Sequence, residues 1–180
     1  MDAPLTREAA EALYTGIVTD TGSFQHSNTT SETHVIASEL LAAGIEHMKI
    51  MIALYQTVSL NKIKLQNRIL DTLEIFCEGR AAVAYVTRDM VKESGASLDD
   101  AEDAVDTVRN IEGVEIAAFL KEREEGIKVS LRAKSAGRVD EIASAFGGGG
   151  HMKAAGCTLK TPLAEAKKLI IKEIEKYLEN

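Results

Sequence analysis

The chain of 180 residues carries a formal net charge of −7, with 45% hydrophobic and 27% charged residues; this fits a globular protein of one or two domains and excludes a disordered tract or a membrane-spanning bundle. Aromatic residues make up 4% and Trp is absent, leaving few platforms on which the bases of a long single strand could stack. The acidic balance also argues against strong non-specific binding to long polyanions, which needs many Lys and Arg contacts, while a small phosphorylated ligand or a metal ion is compatible with it.

Thr6 precedes Arg7-Glu8-Ala9-Ala10 as the N-cap of a first helix. Gly16-Ile17-Val18-Thr19 then reads as a short buried strand feeding the turn Asp20-Thr21-Gly22. A second helix is expected from about Ser31 to Gly44, with Val35, Ile36, Leu40 and Leu41 at helical spacing. From about Glu46 to Glu78 no glycine or proline occurs, and Leu54, Val58, Leu65, Ile69, Leu73 and Phe76 recur on one side. That pattern predicts a long helical connector, broken once near Ser59-Leu60-Asn61 and closed by Gly79.

Beyond Gly79 the composition turns strand-rich. Ala81 to Thr87 is a strand candidate, and Ser97-Leu98-Asp99-Asp100 caps a helix that ends at Gly113. Val114 to Leu120 and Ile127 to Arg132 alternate around Glu124-Glu125-Gly126, a hairpin signature. Val139, Ile142, Ala143 and Phe146 mark a short amphipathic helix, Ala155 to Leu159 a small-residue strand, and Pro162 opens a final helix. The expected organisation is an α/β protein: part of a first α/β domain in 1–58, a helical linker in 59–79, and a mixed-sheet α/β domain in 80–180.

Chemistry-bearing residues gather in two places. The run Gly147-Gly148-Gly149-Gly150-His151-Met152-Lys153 sets a titratable ring and a cation beside four glycines. Ordering them is costly, so the run makes sense where positive φ or close ligand approach is required. Such a loop can form an anion-binding nest; a flexible turn between helix and strand is the competing reading. Asp20, placed after a strand, would sit where open α/β sheets form their ligand crevice, although a lone turn carboxylate also serves as an Asx-turn or cap. Cys77 and Cys157 form no CxxC pair, so neither a zinc ribbon nor a redox dithiol is expected. The polar N-terminus lacks a signal-peptide core, which makes cytoplasmic localisation the expectation. His26, His34 and His47 read as surface residues, and Asp99, Asp100, Glu102 and Asp103 as a solvated helix start.

Taken in order, Leu13-Tyr14-Thr15-Gly16-Ile17-Val18-Thr19-Asp20-Thr21-Gly22-Ser23-Phe24, Ser27-Asn28-Thr29-Thr30, Gly148-Gly149-Gly150-His151 and Ala154-Ala155-Gly156 resemble the DHH phosphoesterase superfamily along essentially the whole chain. Within it the resemblance is to the bifunctional oligoribonuclease/pAp-phosphatase (nano-RNase) group, cousins of the RecJ exonucleases. It implies a manganese-dependent (or magnesium-dependent) hydrolase of very short oligonucleotides and of 3′-phosphoadenosine 5′-phosphate (pAp), with a DHH catalytic domain followed by a DHH-associated substrate domain. It further implies that Asp20 is a catalytic residue and the last metal-binding aspartate of a two-metal site. Gly148, Gly149, Gly150 and His151 would hold the substrate, Arg132 would face the same ligand with a guanidinium suited to phosphate, and Lys153 would contact phosphate beside them. Ala133 stands where the resemblance leads one to expect Ser.

Two motifs of that family, Asp-x-Asp and Asp-His-His, do not occur, and His26, His34, His47 and His151 are isolated from one another. The expectation is therefore a C-terminal fragment, inactive or nearly so by itself, whose metal binding is weak or absent because hard divalent cations need several ligands at once. An exposed sheet edge and apolar face would favour a homo-oligomer or association with a missing N-terminal half. The alternative is a non-catalytic nucleotide-binding or association module, as in the glycine-histidine domains of alanyl-tRNA synthetases; Thr19-Asp20-Thr21-Gly22 argues against it. A cyclic-dinucleotide phosphodiesterase would share the same chemistry.

Overall fold

The Thr6 hydroxyl accepts a hydrogen bond from the Ala9 N–H and opens a helix, α1, that runs unbroken over Arg7–Asp20. In this computed structural model, which describes residues 5–134 and 137–179, the strand expected at Gly16–Thr19 is thus helical. Thr15 and Thr19 turn their hydroxyls back onto the Glu11 and Thr15 carbonyls, at 2.7 and 2.9 Å, which satisfies the hydroxyls within the helix. Ala10, Tyr14 and Val18 form its buried stripe. Asp20 consequently ends a helix, not a strand.

Helix α2, Ser31–Ala42, begins where expected and is capped by a reciprocal pair of bonds between Thr30 and Thr33; α3 spans His47–Tyr55. Residues 1–58 make a first compact unit around Ala10, Tyr14, Val18, Ala37, Leu40 and Ile45. Its described residues are all helical or loop, so the sheet edge expected there is not present among them. What it does expose is apolar helix surface: Leu13, Val35, Met48, Ile52 and Tyr55 are each about half exposed, and no residue of α3 is buried.

Residues 59–180 form the second unit. Ser59 caps α4, Leu60–Leu70, where the break in the connector was expected. The helix stops earlier than its apolar repeat suggests, because Thr72 bonds the Tyr85 N–H and carbonyl and Glu74–Phe76 pairs as strand β1 with Ala81–Val83. Leu65 and Ile69 are buried against the sheet, so the segment expected as a linker packs as part of this unit.

The remaining strands are β2 (Ala81–Val86), β3 (Ile116–Arg123), β4 (Gly126–Ala133), β5 (Gly149–His151) and β6 (Ala154–Leu159). They join β1 in one mixed sheet of order β1-β2-β3-β4-β6-β5, in which only β2 and β3 are parallel. The β2–β3 crossover contains α5 (Arg88–Ser94), which the sequence pattern did not indicate, a 3₁₀ turn at Asp99–Ala101, and α6 (Ala104–Arg109). One sheet face packs Val83, Leu120, Val129 and Leu131 against α7 (Val139–Ser144) and the stripe Ala166, Ile170 and Ile174 of α8 (Leu163–Glu179). The other packs Ala82, Ala84 and Phe119 under α4 and α6; a fully buried Phe such as Phe119 contributes about 2 kcal/mol. On this second face β4, β6 and β5 stay partly or fully exposed. Among the described residues no helix is long and apolar enough to cross a membrane.

Candidate functional site

Strand β4 alternates strictly between buried and half-exposed residues, so Lys128, Ser130 and Arg132 share the uncovered face. Pairing with β6 sets Lys128 opposite Thr158, Ser130 opposite Gly156, and Arg132 opposite Ala154. Pairing with β5 extends two of these rows, with Gly149 beyond Gly156 and His151 beyond Ala154. The open face therefore carries a row Arg132-Ala154-His151, a floor Ser130-Gly156-Gly149, and a third row Lys128-Thr158, spaced about 7 Å apart along the strands. A shallow concavity of ≈ 370 Å³ lies over the floor and the third row, touching Lys128, Ser130, Gly149, Gly156 and Thr158.

The four glycines do different jobs. Gly147, at φ +71°, and the Gly148 N–H close the end of α7 by bonding the Ser144 and Ala143 carbonyls at 3.0 and 2.9 Å. A Cβ on Gly148 would lie 2.2 Å from the Gly156 carbonyl oxygen, and one on Gly150, at φ +150°, would lie 2.6 Å from the Ala154 carbonyl oxygen. What approaches this bare backbone is strand β6 itself. At Gly149 a Cβ would meet nothing within 4 Å, which leaves a patch of open backbone in the concavity. Gly149–His151 is thus an edge strand rather than a nest or a flexible turn.

Charge on this face is arranged around few carboxylates. Arg132 Nε is 3.7 Å from Asp106 Oδ1, which also holds Arg109 at 3.0 Å. His151 is exposed, and Lys128 has no ion-pair partner among the described residues. The Lys153 ammonium, in the β5–β6 turn, is enclosed and lacks a hydrogen-bond partner among the described residues. Lys121 is fully buried and 2.5 Å from Glu102. Burial lowers its pKa by more than Glu102 raises it, whereas bonding to Lys121 holds the Glu102 carboxyl below its ordinary range. Beneath the floor, burial pushes the Cys157 thiol up to about 11, so it is no nucleophile at neutral pH. Lys128, Ser130 and Thr158 were not singled out in the sequence; the period-two alternation through Arg132 was the signal that could have found the first two, whereas Thr158 is placed by the pairing of β6 with β4.

Asp20 belongs to the first unit. Asn28 donates to its Oδ2 at 2.8 Å and to its carbonyl at 3.3 Å, and His26 Nδ1 lies 3.3 Å from the same carbonyl. The loop that folds these groups back has three consecutive left-handed residues, Gly22, Ser23 and Phe24. The two non-glycines cost about 1–3 kcal/mol each. Thr21 offsets part of this by bonding the Ile17 carbonyl and the Phe24 N–H. His34 is exposed, as expected, and stacks on Phe24 at a ring separation of 4.8 Å, whereas His47 is half-buried and meets Tyr14 edge-on at 5.5 Å. No group of three His, Cys, Asp or Glu among the described residues could hold a metal ion. One carboxylate beside an amide does not furnish the six or so oxygen ligands of a hard divalent cation, so these residues do not by themselves fit manganese or magnesium.

Residues 78–180 match the DHHA1 domain family. The chain is 36% identical over 174 residues to the bifunctional oligoribonuclease and PAP phosphatase NrnA of Thermus thermophilus, covering 96% of this chain and 52% of that protein. Identity to the NrnA of Bacillus subtilis is 33%, over 86% of this chain and 49% of that one. The cyclic-di-AMP phosphodiesterase PdeA of Listeria monocytogenes is 31% identical over 93% of this chain and 25% of its own length. An exopolyphosphatase-related protein from Bacteroides fragilis superposes with a TM-score of 0.89 at 32% identity, over 96% of this chain and 51% of that one. The chain spans about half the length of the NrnA proteins it matches.

Proposed function

Since this chain belongs to the DHH phosphoesterase superfamily and carries its DHHA1 domain, we propose that it supplies the substrate-binding part of a hydrolase acting on short oligonucleotides and on pAp. The observation that carries this reading is the open strand face, where the row Arg132-Ala154-His151 borders a floor of Gly156 and Gly149. Arg132 donates from one terminal nitrogen to the Leu131 carbonyl at 3.1 Å and lies 3.7 Å from a carboxylate it shares with Arg109, which leaves further N–H donors of its guanidinium to grip a phosphate. His151, about two strand spacings or ~10 Å away, donates to a second oxygen of the same nucleotide. Beside that row the side-chain-free backbone at Gly149 lets a sugar or base lie close to the sheet. The enclosed Lys153 ammonium has an unmet need for an acceptor, and a ligand anion nearby lowers its cost of burial.

In hydrolases of this type bound divalent metals activate water and clamp phosphoryl oxygens. Asp20 is the one carboxylate this chain offers to such a centre, with Asn28 fixing one of its oxygens; the donor set around it is incomplete. The chain by itself therefore binds nucleotide without hydrolysing it. Calorimetric titration with pAp and a dinucleotide, with and without Mn²⁺ and with product release assayed on the same samples, tests the reading. Binding without turnover is the expected result, and absence of binding to either ligand would overturn it.

A further inference from the structure

The end of the open face remote from Arg132 and His151 has a charge surplus that nothing described so far uses. Lys121, Arg123 and Lys128 converge there, since Lys121 pairs with Lys128 across β3 and β4, and Arg123 follows two residues on along the same face. A single carboxylate serves them: Glu102 lies 2.5 Å from Lys121 and 3.6 Å from Arg123. Lys121 is fully buried, and Arg123 Nε is enclosed with no hydrogen-bond partner among the described residues. Burying the Lys121 ammonium and enclosing the Arg123 Nε beside one half-exposed carboxylate is costly unless a further anion completes the set. The concavity opens beside this cluster, with Lys128 and Thr158 on its wall.

We infer that Lys128, backed by Lys121 and Arg123, forms a second anion subsite that takes a further phosphate of an oligonucleotide whose first phosphate sits at Arg132. The inference rests on reading the open face as a nucleotide platform. Arg132 follows Lys128 by four residue steps along β4, roughly 13 Å at a strand's rise per residue, and the glycine floor lies between them. A nucleotide with one phosphate occupies only the Arg132 end, whereas a trinucleotide reaches both. The two rows thus discriminate ligands by their number of phosphates.

The test is calorimetric titration of the full chain with AMP and with a 5′-phosphorylated trinucleotide, for the wild type, Lys128→Ala, Lys128→Arg and Arg132→Ala. Lys128→Ala is expected to weaken trinucleotide binding about tenfold, to leave AMP affinity unchanged, and to reduce the slope of log affinity against log salt by about 0.7, the loss of one phosphate contact on a single strand. Lys128→Arg keeps the charge and retains affinity. Unchanged trinucleotide affinity in Lys128→Ala, or an equal loss for both ligands, overturns the subsite. If Arg132→Ala weakens both ligands while Lys128→Ala weakens neither, the platform stands and the second subsite falls. If the wild type binds neither ligand, both fall.

Discussion

Substituting alanine at adjacent glycines separates the role of the backbone in folding from its role in binding. In Gly148→Ala the new Cβ would lie 2.2 Å from the Gly156 carbonyl oxygen and 2.6 Å from the Cys157 Cβ. An ordinary contact begins near 3.4 Å, so either α7 or β6 must move by more than an ångström. Both pack on the apolar core through Ile142, Ala143 and Cys157. Overpacking of this kind costs about 1–3 kcal/mol, and at about 4 °C per kcal/mol for a unit of this size the melting temperature should fall by roughly 4–12 °C. Gly149→Ala meets no atom within 4 Å, its φ is not positive, and the lost freedom of the unfolded chain contributes about 0.4–1 kcal/mol of stability. Its melting temperature should match or exceed the wild type, while its methyl group occupies the floor and lowers pAp affinity at least tenfold. Circular-dichroism melts and calorimetric titration of the two variants provide the check. A folded Gly149→Ala that binds pAp as the wild type does, or one that melts as early as Gly148→Ala, would refute the division of labour among the glycines.

Arg132→Ala and His151→Ala should each weaken pAp binding about tenfold or more, the ordinary worth of a hydrogen bond to a charged group, with melts unchanged because both side chains lie on the open face; calorimetry and circular dichroism read the two halves of that statement. The chain incubated with Mn²⁺ should release neither phosphate from pAp nor mononucleotide from a dinucleotide, which chromatography of the reaction mixture decides. Burial lowers Lys121 below its ordinary value, so as pH rises through the interval between its folded and unfolded values the unfolded chain holds the extra proton and folding stability increases. Urea midpoints from pH 7 to 10.5 should rise more steeply for the wild type than for Lys121→Met, and parallel curves would show that Lys121 is not titrating under burial.

The second unit was largely legible because its signals are local and repeated. The alternation through Val129, Leu131 and Ala133, the Gly126 turn and the stripe on α8 mark their elements without help from the rest of the fold. The first unit misled at Gly16–Thr19, where a short β-branched run resembles a buried strand; the helix continues through it because Val18 extends the buried stripe of Ala10 and Tyr14, a long-period signal that the short run masks. Glu74–Phe76 was hidden for the opposite reason, since it is a strand only because Ala81–Val83 lies alongside it. At the site, Arg132 and His151 were readable from motif resemblance, but Lys128 was not. The alternation along β4 gives its side of the sheet, but its place opposite Lys121 and Thr158 follows from register, which is set by pairing with β3 and β6.

The acidic balance of the whole chain and the cationic face of its second unit are compatible because they act over different distances. A net charge of −7 repels a long polyanion, yet beyond about 8–10 Å it is screened at physiological salt. A ligand short enough to lie within the three rows meets Arg132, His151 and Lys128 directly. Each further phosphate extends past β5 or past Thr158 towards the rest of an acidic surface, where it gains no cation and adds repulsion. On the proposed reading, a preference for short ligands would follow from a small basic platform set in an acidic protein. It should weaken as salt is raised, so the affinity ratio between a trinucleotide and a longer oligonucleotide, measured by competition at low and at high ionic strength, must shrink; a ratio independent of salt would mean that length is limited by steric closure instead.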